Sequence, residues 1–541
     1  MSPALRACMA TLAMMLSAIV GAPAAAQPAQ GERENRTFVQ PYIEVSQVLT
    51  AELTPGDNVL TFTQVATGVD TIVQGSNSAA SLSVRYERNF GYGEAVDSDA
   101  ISGVARGSVG VVPRALTLEA GALASRARID GGGGVTTNPL VAEDQTSEIF
   151  SLYAGPTLAT RAGILDITGS AFVGYNRIEV SDSLLSEEGE PLDAFDESVT
   201  YAGQIRLATR PGDGLPVGIG VGAGGFQEDV DTLDQRVRDV YLRGDVTVPI
   251  TENAAIVGGI GYEDVEVSSR DALRDGDGNP LIGDDGRFIT DAESPRLIAY
   301  DVDGLIWDVG VIWNPSRRTA LSATVGRRYA STTYFGNFTY TPDSRSAFAI
   351  NVYDGLTGFG GALTNSLSGL GADFSATRNA LTGDLSGLVV GEDGASELGT
   401  LGSTRSTAFR GRGGSVSYQR TPGRTNAALV AGYDRRTFIG AEGTVFEPID
   451  GQRDESYYVL GSLGRDLGRG GFLSANAYVN WFTSETDAAD LTAYGASVAY
   501  DRALSSRLSA RAAVAVDYFD SEFSDSDFAA ASVLVGLRLN L

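Results

Sequence analysis

The sequence predicts an all-β protein: a transmembrane, antiparallel, up-and-down β-barrel of about 22 strands, within a range of roughly 18 to 26. Three observations predict it. Apolar and polar residues alternate with a period of two from residue 38 to the last residue. Tight turns and long, acidic loops alternate as connections between these segments. After the first 26 residues no apolar run reaches the roughly 20 residues that a spanning helix needs. A two-residue period puts one side-chain set on each face of a strand. A membrane barrel turns the apolar set to lipid and the polar set to its lumen.

The elements follow in chain order. Residues 1–26 carry one Arg (Arg6), the apolar run MATLAMMLSAIVGA and then APAAA, the layout of a secretory signal peptide cleaved after Ala24 or Ala26. Residues 27–38 are expected as a short periplasmic segment, and 39–541 as the barrel. In SAASLSVRYER, Ala80, Leu82, Val84 and Tyr86 share one face, and Ser81, Ser83, Arg85 and Glu87 the other. RALTLEAGALAS and VYLRGDVTVPI alternate in the same way and bring in Glu119, Arg243 and Asp245. Charges in mid-strand must meet water or partners, so these residues are expected to line the lumen together with Arg206, Asp308, Arg327, Arg435 and Arg511. Tight turns are expected near 75–77, 112–114, 160–163, 210–216, 251–253, 314–318, 342–345, 421–424, 467–470 and 503–507. A further tight turn, on the long-loop side, is expected at 331–333. Long loops are expected near 91–99, 129–146, 179–197, 229–236, 268–302, 355–404, 437–455, 484–489 and 520–527. Short periplasmic turns and long external loops are the usual asymmetry of outer-membrane barrels. Aromatics gather near the long-loop ends of strands (Tyr86, Phe90, Tyr353, Tyr457, Tyr458, Trp481, Phe482, Tyr518, Phe519), with Trp313 and Tyr500 opposite, as in two interfacial girdles.

The last strand, SVLVGLRLNL, puts Val533, Val535, Leu537, Leu539 and Leu541 on one face, and Leu534, Gly536, Arg538 and Asn540 on the other. Gly536, Leu539 and Leu541 resemble the C-terminal β-signal of outer-membrane barrels, although that signal usually ends on an aromatic. The resemblance implies that barrel-assembly machinery engages this strand.

Composition removes several chemistries. The chain has no His, and its 40 basic residues are all Arg. No His-based triad or His-ligated zinc is available, nor is a lysine Schiff base or a phosphate-loop lysine. The one cysteine, Cys8, lies in the signal segment, so the mature chain has no thiol. A formal charge of −28 argues against binding nucleic acid through its phosphates. No catalytic residue, cofactor or metal is expected. GVGAGG (Gly220–Gly225) matches GxGxxG but sits in an alternating strand without a dinucleotide-binding unit around it. DGDGNP (Asp275, Asp277, Asn279) begins like a calcium loop, but Pro280 stands where Gly is needed and Gly286 where Glu is needed, which leaves a solvated acidic loop or loose calcium bridging.

The segment 355–404 is the longest loop. Leu363, Leu367, Leu370 and Phe374 are spaced as one helical face. An inward constriction, an external cap and a disordered loop all remain open for it.

The signal segment, the opening PYIEVSQVLTAEL, the SRT-type turns and GFGGAL (358–363) together resemble β-barrel porins of Gram-negative bacteria, over most of residues 38–541. Relatives in that group include barrels associated with exopolysaccharide export and protein sorting. Some carry a preprotein-translocase subunit label, which nothing in this sequence supports. The resemblance implies the outer membrane, contact with its lipid and lipopolysaccharide, and no catalytic residues. The functional expectation is a porin-like passive channel or export conduit for polar solutes, polysaccharide or an export system being candidate partners. The alternative is a plugged structural or interaction barrel. A TonB-dependent receptor suits the strand count but needs a large N-terminal plug domain, and only QPAQGERENRTF precedes the first strand.

Overall fold

A computed structural model of the chain describes residues 36–541, apart from 55, 57, 94, 96, 130–133, 137–145, 180–194, 284–285, 373, 392–393, 398–401, 486–489 and 522–526. The expected signal peptide, most of the 27–38 segment and the middles of several long loops lie outside the described residues.

Twenty-two antiparallel strands form one closed ring. Each pairs with its neighbour in sequence, and the first (Arg36–Thr54) also pairs with the last (Phe528–Asn540), with Tyr42 opposite Asn540 and Ala51 opposite Ala531. Every spanning strand therefore has two partners and no sheet edge is left. The exterior is apolar. Val533, Val535, Leu537 and Leu539 are 40–62% exposed while Leu534, between them, is 1% exposed. Leu305, Trp307, Val309 and Val311 repeat the pattern, as do Leu242, Val246 and Val248. An unbroken belt of exposed aliphatic side chains is untenable in water and fits lipid.

Aromatics mark both rims, and alternation divides neighbours between them and the core. Tyr457 and Trp481 are 43% and 45% exposed, whereas the adjacent Tyr458 and Phe482 are 8% and 1% exposed. The cross-strand pairs Tyr433–Tyr457 and Tyr494–Tyr518 stand 4.8 Å apart. At the short-turn rim, Trp313, Tyr340, Tyr418 and Tyr500 are exposed.

The short turns fall where the sequence places them. The turn expected at 331–333 does not. Ser331–Asp343 is one strand, and the chain reverses at Tyr329 and Ala330, both with φ of 53°. This turn lacks the usual Gly or Pro punctuation, which is why sequence reading misses it by two residues.

Candidate functional site

The strand Ser346–Thr357 pairs directly with Phe409–Arg420, Thr357 lying opposite Phe409. The intervening chain leaves the wall and enters the lumen. It begins as helix α1 (Phe359–Gly369), whose Phe359, Leu363 and Leu367 share one face. The helix stops at Gly369 because Leu370 turns extended (φ −65°, ψ 144°). Leu370 and Phe374, expected on the helix, therefore follow it, and Phe374 opens a short strand, Phe374–Arg378. All four still join one cluster with the inward side chains Leu123, Ile149, Tyr153 and Ile178.

Glu228, fully buried on the wall, receives the N–H groups of Gly358 (2.8 Å) and Gly361 (2.9 Å). A carboxylate at a helix N-terminus satisfies orphan donors and the helix dipole together. The close approach requires glycine, since a Cβ at Gly361 would lie 2.6 Å from Glu228 Oε2. Further down, Thr364 meets Asn176 (2.9 Å), the Ser368 carbonyl meets Arg106, and the Ala372 carbonyl meets Ser81 Oγ (2.9 Å). The segment thus descends the inner wall from the long-loop end.

A three-stranded sheet follows (Phe374–Arg378, Leu385–Gly391, Gly394–Glu397). The tip of its first hairpin ends at Asp384, which pairs with Arg126 (3.0 Å). The charges continue as a chain: Arg126–Glu87 (3.1 Å), Glu87–Arg85 (3.2 Å), Arg85–Glu44 (3.2 Å) and Arg511–Asp501 (2.8 Å), Arg511 also approaching Glu44 (3.9 Å). Each charge has an opposite neighbour, the condition under which ionised groups tolerate burial. Glu119 pairs with Arg106 (2.8 Å) nearby.

On the opposite wall Arg206, Arg243, Asp245 and Asp308 form a second network, with Arg206–Asp245 at 2.6 Å, Arg243–Asp245 at 3.0 Å and Arg243–Asp308 at 2.6 Å. Two sequence expectations need correction. Arg327 stands opposite Trp307 on the outer face, and the neighbouring Arg328 turns inward to Asp239 (2.9 Å) and Glu263 (3.0 Å). Arg435 shares the outer face with Tyr433, opposite Glu455, and Arg436 is the inward one. In both cases two adjacent arginines flank the choice, and only register decides between them. Sequence reading also missed Glu44, Arg106 and Arg126, which the same alternation would have found. Glu228 also has inward parity on its strand, but its role at the helix, like the roles of Arg378 and Asp384, gave no such signal, because it depends on where the inserted segment docks. Gly536 faces Ser46 across the closing seam, and Leu539 and Leu541 point outward, exposed.

Exposure along the uncovered wall is graded. Toward the short turns the inward Gln204, Ser322 and Asn337 are exposed, and the Arg206 side chain is 45% exposed. Toward the long loops the inward Thr200, Glu228, Val237, Glu263, Val265 and Thr333 are 0–3% exposed. Loops close that end. Leu233, Ala272 and Phe446 pack as one cluster, Arg287 donates to the Phe195 carbonyl (3.1 Å), and Ala408 N–H donates to Gln235 (2.6 Å). The lumen is a wet cup at one end and a packed lid at the other.

A closed ring with a lipid-facing belt and a polar interior defines an outer-membrane β-barrel. No family model matches the chain, and no curated protein matches it. Among solved structures it superposes on the FrpB iron transporter from Neisseria meningitidis (F5-1 variant; 10% identity, 93% of this chain and 82% of that one, TM-score 0.43). It also superposes on the ferric-catecholate import receptor Fiu from E. coli K12 in its open form (9%, 95% and 82%, 0.42) and on the copper transporter OprC (11%, 95% and 82%, 0.41). Superpositions this loose carry nothing about function, and the barrel assignment rests on the strand register.

Proposed function

We propose that this protein is a gated outer-membrane conduit for small polar solutes, shut at its long-loop end in the state described. The graded exposure of the inward wall supports this reading. A purely structural barrel has no need of an aqueous half lined by Gln204, Arg206 and Asn337, and an always-open porin has no need of the lid.

Magnitudes decide what moves. Six inserted side chains (Leu363, Leu367, Leu370, Phe374, Leu385, Val389) are at most 5% exposed. At roughly 1.5–3 kcal/mol each, baring them costs about 9–18 kcal/mol. That hydrophobic cost, with the Glu228 and Asp384 contacts, opposes withdrawal of the inserted segment, so we read it as a plug and assign opening to the lid and the gap beside the plug. Polysaccharide, the bulkier cargo, needs the plug displaced by a partner. The terminal strand carrying Gly536, Leu539 and Leu541 is the segment proposed to meet assembly machinery.

Two measurements test the reading. In planar bilayers the full-length protein should give rare, small current steps, and a variant lacking residues 360–400, which keeps the lid, should give steps that are still rare but larger. Both proteins are first checked for barrel folding by heat-modifiable migration. Single cysteines at Gln204 and Asn337 should react with a membrane-impermeant thiol reagent added on the short-turn side, whereas cysteines at Thr200 and Thr333 should not. A folded deletion variant without current would overturn the conduit.

A further inference from the structure

We infer that the chamber between the plug and the barrel wall binds a small oxyanion, the phosphate or carboxylate group of a polar solute. This deepens the conduit reading by naming a cargo class, and it rests on that reading only for what the binding is for.

The chamber has a volume of about 320 Å³, within the roughly 300–1,000 Å³ typical of small-molecule sites. Arg85, Arg378, Arg511 and Arg538 line it, against one lining carboxylate, Asp70. The whole charge cluster is balanced, because Glu44, Glu87 and Asp501 pair with the wall arginines, and Asp384 pairs with Arg126. The arrangement is polarised all the same. The arginines face the chamber, and apart from Asp70 none of these carboxylates lines it.

Arg378 is the sharpest feature. It is carried in by the plug, and its N–H groups meet only neutral acceptors: Ser83 Oγ and carbonyl, Ser102 Oγ and carbonyl, and the Gly383 carbonyl, at 2.7–3.3 Å. Among the described residues no carboxylate comes within ion-pair distance of it. A guanidinium withdrawn from water with no carboxylate in contact is costly. The N–H groups of Arg378 are all donated, so it favours an anion in the chamber by its charge and not by a hydrogen bond.

Donors are also to spare. Arg538 spends Nε on Asn540 (3.1 Å) and Nη2 on Asp70 (3.3 Å), and Arg511 spends Nε and Nη2 on Asp501 (2.8 and 3.4 Å). Arg538 Nη1 donates to no acceptor among the described residues, and Arg511 Nη1 has only Glu44, at 3.9 Å. Arg538 is held over the Tyr42 ring at 3.6 Å, which fixes its orientation. Planar N–H groups with fixed aim suit phosphate and carboxylate oxygens better than a mobile ammonium does. Asn379 from the plug and Asn476 from the wall add neutral donors at the chamber edge.

The test is equilibrium binding to the full-length protein in detergent, which needs no transport and so separates this inference from the conduit. Isothermal titration with inorganic phosphate, and in a second arm with acetate, should show saturable binding of at least one of them, with one site per barrel. Arg538→Gln and Arg378→Gln should each weaken it at least tenfold, while Arg161→Gln, in a distant short turn, should leave it unchanged. Heat-modifiable migration confirms that each variant has folded. No saturable binding of either anion at millimolar concentration, or equal binding by folded Arg378→Gln and Arg538→Gln variants, would overturn the proposal. Binding without any current in bilayers would uphold the site and remove the conduit.

Discussion

Glu228 takes a carboxylate into a fully buried site and forms no ion pair there among the described residues. Its partners are the Gly358 and Gly361 N–H groups and Thr357 Oγ (3.3 Å). Charge-assisted bonds of this kind contribute more than neutral ones. Glu228→Gln keeps the shape, removes the charge and turns one acceptor oxygen into a donor facing donors. Loosening of the plug's upper end by about 1–3 kcal/mol is expected, read as faster protease cleavage within 355–370 in the folded barrel. Cleavage at the wild-type rate would show that this carboxylate does not hold the helix. In the loop 270–296, Asp275 accepts the backbone N–H groups of Asn279 and Asp277, each at 2.9 Å, and these hold its carboxyl below the usual carboxylate range. The folded value is depressed, so the turn is fully supported above the unfolded value and loses that support as pH falls through the folded one. A carboxyl-carbon NMR titration should give a midpoint below an ordinary Asp near 3.9, and a midpoint at or above that value would refute the turn geometry.

Elements differ in how they are held. Helix α1 is docked by oil, through Phe359, Leu363 and Leu367, whereas the hairpin tip adds charge, Asp384 on Arg126, to the packing of Leu381 against Val48 and Leu534. At the tip, Gly383 has φ of 70°, and a Cβ there would sit 2.2 Å from Arg85 Nε. Gly383→Ala therefore combines backbone strain of about 1 kcal/mol with a clash against the central ion pair. It should displace the tip and leave the helix in place. The check is a pair of spin labels, on residues 381 and 365, measured against the wall. Movement at 365 equal to that at 381 would mean that the two halves of the plug move as one body. Both docking modes were only partly legible. The 4–3–4 spacing of Leu363, Leu367, Leu370 and Phe374 marks a buried apolar face, but the glycines of GLGAD end the helix early, so one face is shared by two kinds of structure.

For the whole molecule, ring closure is the event that removes the last unpaired strand edges. The final strand contributes the seam with the first, from Tyr42–Asn540 to Ala51–Ala531. Removing residues 533–541 leaves unpaired backbone groups on two strands at membrane depth, where each costs several kcal/mol. The truncated chain should lose heat-modifiable migration and membrane insertion altogether. A folded, inserted barrel from that chain would refute the closure described. The barrel's handling of charge is also global: polar groups toward the short turns are wetted, and those toward the long loops are walled in.

Period-two alternation, the ten short turns and the order of the strands were all present in the linear chain, because each is set by neighbours a few residues apart. So were most of the inward charges, since a residue's face follows from its parity within the strand. Parity failed where it was ambiguous, at the adjacent pairs Arg327–Arg328 and Arg435–Arg436, and there the cross-strand register chose. The inserted plug, the Glu228 cap on its helix and the placing of Arg378 beside the chamber were decided by tertiary structure alone. They join groups 130 to 295 positions apart in the chain, and no local pattern encodes which wall a fifty-residue excursion will lean against.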